Sequence, residues 1–406
     1  MNKKIRLLSF CIALCAIFSG VNAVANSMVK MSDASFFSAF YEYGGDGLRL
    51  AENAVFGNSY MDQLDKKELA IYNTLEKNID LMRENKIMQF EIPVPVKAHR
   101  DNESEMNKLQ TAIYNAVYAF ELDRGDLFWM SKYHSYKYSY DTNSGEIKKL
   151  YLYAYNDTWH GSDFATYESV KKAEEKFNAA IDAVKKEIQD LDTYAQVKYI
   201  HDFILNNCTY NKHVSQGYGP DTLGELPWSA YSALVKQTDE KKYPVCEAYV
   251  KGFNVLCKSV GINAAAVSGF VEGRNHMWSA VKMQNKIWFY VDTTFDDSAE
   301  DYNYYYFLRG YEYMNHTHVP DGRIVNVCDE FTYPKCSKKD YPQDAGDLLG
   351  DVNQDKVVNT GDATFLLKYS AGIISLPTAA RLYGDFNCDD SYNTADASAI
   401  LRFCAS

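Results

Sequence analysis

Cys246 lies in YPVCEAYVKGF, His276 in NHMWSAVKM and Asp292 in IWFYVDTTF, three residue types that together can run nucleophilic acyl chemistry. A thiolate attacks a carbonyl carbon, an imidazole takes and returns the proton, and a carboxylate orients the imidazole. Pro244 suits the first position of a helix, which puts Cys246 in the first turn. There the macrodipole and unpaired N–H groups draw a cysteine pKa down from about 8.5 toward neutrality. Cys257 is the contrast: it falls mid-helix on the apolar face of Tyr249, Val250, Phe253, Leu256 and Val260, the setting of an inert buried thiol. His276 reads as opening a strand after the turn EGRN and Asp292 as ending the next, so adjacent antiparallel strands would make them neighbours. One oxyanion donor would be the Cys246 N–H, and a second is left open between Trp228, Tyr231 and neither, since both suit ordinary packing. His201, within a helix, reads as a surface or packing residue. His316 and His318 have no third ligand at metal-site spacing and read as solvated loop residues.

A second chemistry sits at the other end of the chain. GDVNQDKVVNTGDATFLLKYSAG from Gly350 repeats as GDFNCDDSYNTADASAILRFCAS from Gly384, each copy carrying D-x-N-x-D-x-x-x-N-x-x-D. Oxygen ligands at loop positions 1, 3, 5, 9 and 12, with a backbone carbonyl at 7, satisfy the hard six- to seven-fold shell of Ca²⁺. They fall on Asp351, Asn353, Asp355, Val357 (carbonyl), Asn359 and Asp362, and on Asp385, Asn387, Asp389, Ser391 (carbonyl), Asn393 and Asp396. Two ions are expected. Position 6, which favours glycine at its sharp turn, holds Lys356 and Asp390; aspartate tolerates a positive φ better, so the first loop should bind less tightly.

The elements that must position these residues follow from periodicity. Helical spacing marks 65–85, 106–120, 168–190 and a helix containing YIHDFILNNCTY, which Thr193 and Gln196 would open as a capping box. MQFEIPVPV reads as an edge strand because of Pro93 and Pro95, and YKYSYDTNSGEIKKLYLYAY as a hairpin. Residues 220–245 read as loop and short helix leading to the cysteine helix, which Gly261 would cap. AAAVSGFV, HMWSAVKM and KIWFYVDTTF then give three strands, and PKCSKKDYPQDAGD a short polar linker.

Residues 1–25 carry Lys3, Lys4 and Arg6, an apolar run and a small-residue end at Ala23-Val24-Ala25, the pattern of a secretory signal. No later run approaches the roughly 18 apolar residues of a membrane span. The formal net charge of −12 becomes −15 without those three basic residues, which disfavours nucleic acid and anionic membranes as partners. Of nine cysteines two lie in the signal; the remaining seven, odd in number and scattered, leave at least one thiol free.

The paired loops, each followed by a helix, resemble a type I dockerin over 348–406. The resemblance implies calcium-dependent docking onto a cohesin domain of a scaffolding protein in a multi-enzyme, cellulosome-type complex. Its recognition positions fall on Thr360, Gly361 and Lys368 and on Thr394, Ala395 and Arg402. The order VCEAYVKGF, GINAAAVSGF, NHMWSAVKM, IWFYVDTTFDD is similar to the transglutaminase-like superfamily of papain-like cysteine enzymes, over about 190–310. That resemblance implies Cys246 as nucleophile, His276 as proton shuttle and Asp292 as its orienting group, with no cofactor for catalysis. The expected fold is α+β: an N-terminal helical and β region (26–165), a transglutaminase-like catalytic core (166–333), a linker (334–347) and a small all-α calcium-binding dockerin (348–406). The expected function is a secreted, extracellular cysteine hydrolase, a peptidase or amidase acting on a protein or peptide substrate. Transglutaminase activity on the same acyl-enzyme and a non-catalytic binding module are the alternatives; the intact Cys, His and Asp speak against the last. The role of 26–165 stays open between a structural layer, which is favoured, and an inhibitory pro-segment.

Overall fold

The computed structural model describes residues 29–30, 57–84, 89–130, 135–153, 163–214, 218–219, 223–297, 304–321 and 331–405. The expected signal segment, 1–25, lies outside the described residues. Asp65 opens the first helix, α1 (Lys66–Arg83), by accepting the Lys67 and Glu68 N–H groups while Glu68 returns a bond to the Asp65 N–H. The second, α2 (Glu103–Asp123), packs along it. Strands β1 (Val29–Lys30), β2 (Gln89–Ile92), β3 (Ser135–Tyr140) and β4 (Ile147–Tyr153) form an antiparallel sheet in the order β1-β3-β4-β2. As expected, β2 is an edge strand, and it stops before Pro93.

Thr166 caps α3 (Tyr167–Ile188), whose buried stripe is Val170, Ala173, Phe177, Val184 and Ile188. The next helix, α4 (Thr193–Asn207), corrects the expected cap. Asp192, one residue earlier, accepts the Ala195 N–H, and Gln196 instead donates to the Ile188 carbonyl. A carboxylate beside a threonine is the better acceptor at a positive helix end.

The centre consists of α5 (Ala230–Leu234), the cysteine helix α6 (Cys246–Ser259) and a second antiparallel sheet. Its strands are β5 (Ala264–Val271), β6 (Arg274–Lys282), β7 (Trp288–Val291) and β8 (His318–Pro320), in the order β7-β6-β5-β8. The fourth strand was not expected. The turn between β5 and β6 is tighter than EGRN: only Glu272 and Gly273, both at positive φ, form it, and Arg274 and Asn275 join the strand. Short helices α7 (Thr293–Asp297) and α8 (Tyr311–Met314) follow, then α9 (Thr360–Ser370), α10 (Thr378–Gly384) and α11 (Thr394–Cys404).

Two attachments bear on the site. The N-terminal region is fastened to the central sheet: Asp123 accepts the N–H groups of Tyr60 and Met61, the Tyr60 hydroxyl donates to the Ala266 carbonyl, and Lys258 donates to the Asp123 carbonyl. The segment read as a polar linker is bound along its length. The Ser337 N–H donates to Trp288, its carbonyl accepts from Tyr311, and Tyr341, 1% exposed, donates its N–H to Leu308. Beyond it, Asn285 in the β6–β7 turn donates to the Phe386 carbonyl at 3.1 Å, and Lys339 pairs with Asp390 at 3.0 Å. One apolar core runs through all of these parts.

Candidate active site

The cysteine helix starts two residues later than Pro244 at its first position would have it. Val245 is the N-cap, with no side-chain cap, and Cys246 is the first helical residue. Its N–H therefore belongs to the group that has no partner within the helix. The approach is held by two backbone bonds, Val245 N–H to Pro227 at 2.9 Å and Asn211 N–H to Pro244 at 3.0 Å. Cys246 is half-buried and packs, with Leu122 of α2, on Val250, Ala266 and Met277. Cys257 is fully buried, and burial raises its thiol pKa well above the ordinary value, as the expectation of an inert thiol requires. All six cysteines among the described residues are free.

Antiparallel register sets Ser279 opposite Val291, so Asp292, just past the end of β7, meets β6 near Trp278 and reaches diagonally to His276. His276 Nε2 lies 2.6 Å from Asp292 Oδ2. The Cys246 side chain lies within electrostatic reach of the same imidazole, which brings Cys246, His276 and Asp292 together. Asp292 is 1% exposed. Its Oδ1 accepts the Thr294 and Phe295 N–H groups at 2.9 and 3.1 Å and so caps α7.

These contacts set the charges. Burial alone would lower the His276 pKa, but the charge and hydrogen bond of Asp292, with Cys246, outweigh it and raise the ring to about 10. Burial would likewise raise Asp292, but His276 and His318 hold its carboxyl well below the usual carboxylate range.

His318 corrects the sequence reading. It is 1% exposed, on β8, with Nε2 2.9 Å from Asp292 Oδ2 and Nδ1 2.7 Å from Thr317 Oγ1; only His316 is exposed. Gly269 makes this possible. A Cβ there would lie 2.8 Å from Pro320 Cα and 2.9 Å from the Trp278 ring, and would overlap the Val319 carbonyl oxygen. The partner that sequence spacing did not offer His318 is thus present in space: Asp292, whose Oδ2 it shares with His276.

His201 is also not a surface residue. Fully buried on α4, it bonds Asp296 at 2.9 Å and Asp202 at 3.1 Å, and Asp296 accepts the Tyr306 N–H. Tyr249 holds Asp297 at 2.5 Å, so α7 is fixed along its length. Tyr231 stacks among Phe128, Phe164 and Phe177 as a packing aromatic, while Trp228 is buried beside the start of α6. Tyr210, which sequence reasoning passed over, lies within electrostatic reach of Cys246 and Asp292; burial and those two groups raise its phenol pKa.

The C-terminal loops repeat one geometry. Asp351 accepts the Asp355 and Lys356 N–H groups, and Asp385 those of Asp389 and Asp390. Asp362 and Asp396, each fully buried, accept two further N–H groups apiece. Burial, then neighbouring aspartates, raise the pKa of Asp362 and Asp385 and push Asp396 to about 6; a divalent cation would relieve that crowding, so the donor set fits calcium. Position 6 takes the expected positive φ, 70° at Lys356 and 66° at Asp390. Asn359 and Asn393 use their side-chain oxygens as helix caps for Gly361 and Ala395, which suits a ligand acting through water at position 9. Thr360, Lys368, Thr394, Ala395 and Arg402 are exposed, and Gly361 is half-buried.

No helix among the described residues is long and apolar enough to cross a membrane. Residues 182–293 match the family model of the transglutaminase-like superfamily, and residues 349–403 that of the dockerin type I domain. No curated protein matches the chain. A solved structure described as "Crystal structure of a TGase" is similar at 16% identity over 42% of this chain and 47% of that one, with a TM-score of 0.29, so the chain spans about half of its length. This α+β chain therefore carries a transglutaminase-like core followed by a type I dockerin, the composition of a cellulosome-type component.

Proposed function

We propose that the protein is an extracellular cysteine hydrolase, a peptidase or amidase, carried into its complex by the dockerin. The supporting observation is the 2.6 Å bond between His276 Nε2 and Asp292 Oδ2, with Cys246 at a helix N-terminus within electrostatic reach of the same imidazole. In this reading the Cys246 sulfur attacks the acyl carbon of a peptide or amide, and the C–N bond breaks as His276 gives its proton to the leaving nitrogen. His276 then takes a proton from water, the resulting hydroxide attacks the thioester, and the carboxylic acid leaves with the sulfur returned to its resting state. The Cys246 N–H stabilises the oxyanion. Asp292 keeps the ring in place and charged.

In this reading the N-terminal region is a structural layer of the catalytic unit, which the bonds from Asp123 and Tyr60 and the contact of Leu122 beside Cys246 support. Residues 166–333 form the catalytic unit and 348–406 the dockerin, joined by the bound segment 334–347. The dockerin holds two Ca²⁺ ions and docks on a cohesin through Thr360, Gly361 and Lys368 or Thr394, Ala395 and Arg402. The deciding experiment is mass spectrometry of a denatured protein pool incubated, under reducing conditions with a small primary amine, with wild type or Cys246→Ala. New peptide termini made only by wild type support hydrolysis. Amine adducts on glutamine without cleavage would make it a transglutaminase, and identical spectra would leave a binding module.

A further inference from the structure

We infer that His318 is a positioning residue for the catalytic imidazole, acting through Asp292; this rests on the triad reading above. Asp292 Oδ2 is shared by two imidazoles, His276 Nε2 at 2.6 Å and His318 Nε2 at 2.9 Å. An ionised carboxylate is acceptor-only, so both Nε2 atoms must carry protons. His318 thus fixes the His276 tautomer indirectly. With Oδ1 taken by two backbone N–H groups and Oδ2 by two rings, the carboxylate cannot rotate, and the nitrogen of His276 left to face Cys246 is Nδ1.

The second imidazole also divides the charge of Asp292. Each donor on a shared oxygen weakens the hold of the other, so His318 moderates how strongly Asp292 keeps His276 charged. The groups facing this pair from the packed elements are Cys246, Tyr210, Asp296 and Tyr306; the remaining contacts of His318 are with Trp278 and Phe295 and with the Thr317 hydroxyl. None of these offers Asp292 Oδ2 a substitute for the His318 proton.

The test is titration of His276 by NMR in protein carrying nitrogen-labelled histidine, assigned with His276→Gln, alongside alkylation of Cys246 by iodoacetamide read by peptide mass spectrometry. His318→Phe keeps a ring against Trp278 and Phe295 but removes the donor. It should raise the His276 pKa by about half to one pH unit, a three- to tenfold change in the ratio of charged to neutral ring. His318→Gln, whose amide can restore the donor, should return it. A His318→Phe variant that only melts earlier, with the titration unchanged, would overturn the inference. In case that variant does not fold, the wild type supplies its own check: a His318 Nε2–H resonance, protected from exchange at neutral pH, is expected, and its absence is equally fatal. Failure of the triad reading looks different. His276 in wild type would then titrate as an ordinary histidine, and Cys246 would react no faster than the exposed Cys404.

Discussion

Replacing Asp292 by asparagine should cost more stability than any other single-atom exchange in the site. Asp292 accepts from four donors: His276 Nε2, His318 Nε2 and the N–H groups of Thr294 and Phe295. The one carbonyl oxygen of an asparagine has two lone pairs, so at least two donors are stranded in a site that is 1% exposed. At about 1–3 kcal/mol for each, the loss is about 2–6 kcal/mol, which lowers Tm by about 5–20 °C in a unit of this size. Charge gives the same scale independently. The His276 pKa, raised from 6.5 to about 10, corresponds to preference for the charged ring on the order of 5 kcal/mol. Because that pKa is raised on folding, its contribution is complete below pH 6.5 and disappears as pH rises through about 10. Asp292, whose pKa is depressed on folding, contributes above its ordinary 3.8 and loses that contribution in acid. The gap between wild type and Asp292→Asn should accordingly be widest near pH 6 and narrow toward pH 10. Thermal unfolding followed by near-ultraviolet circular dichroism measures it, with Asp297→Asn as control because an asparagine can still accept the Tyr249 hydroxyl. Melting of Asp292→Asn within about 2 °C of wild type at pH 6 would refute the four-donor account.

Cys246→Ala should abolish turnover while changing Tm by no more than about 2–3 °C, since the side chain is half-buried and only its sulfur is lost; retained cleavage ends the nucleophile assignment. Gly269→Ala forces a methyl into the Val319 carbonyl and should cost about 1–3 kcal/mol while displacing β8, visible as loss of the His318–Asp292 bond in the histidine spectra. Lys356→Gly removes the strain of a positive φ of 70° and should tighten calcium in the first loop about fivefold by calorimetry; unchanged affinity would show that the turn is not what limits it. Chelation of calcium should abolish cohesin binding in a pull-down, and full retention in excess chelator counts against the docking assignment.

Periodicity made the long helices and the β5–β6–β7 meander legible, and with them the approach of His276 to Asp292. His318 was illegible for a physical reason: β8 is three residues long, and its pairing with Gly269, Phe270 and Val271 is decided by a partner far away in sequence. Gly269 in a run of buried strand residues was the available signal, because a glycine there marks close backbone approach. His201 was readable. It falls with Val197, Ile200, Ile204 and Leu205 on the buried stripe of α4, where a histidine needs partners. The segment 334–347 misled by its polarity, since its attachment to Trp288, Leu308 and Tyr311 uses backbone groups that composition does not reveal. Trp228 near Cys246 stayed ambiguous because proximity alone does not make an oxyanion donor.

The seating of the second dockerin loop on the central sheet limits its reach. With Asn285 holding Phe386, Lys339 holding Asp390 and the segment before them bound throughout, the C-terminal loops and the sheet that carries His276 share one frame. A tethered enzyme sweeps a sphere around its attachment point and meets whatever lies within the length of its leash. On the function proposed above, a unit mounted this way would have an aim instead: docking through the helix at Thr360 or the one at Thr394 would set the direction in which Cys246 looks out from the scaffold, and so the neighbours it could touch.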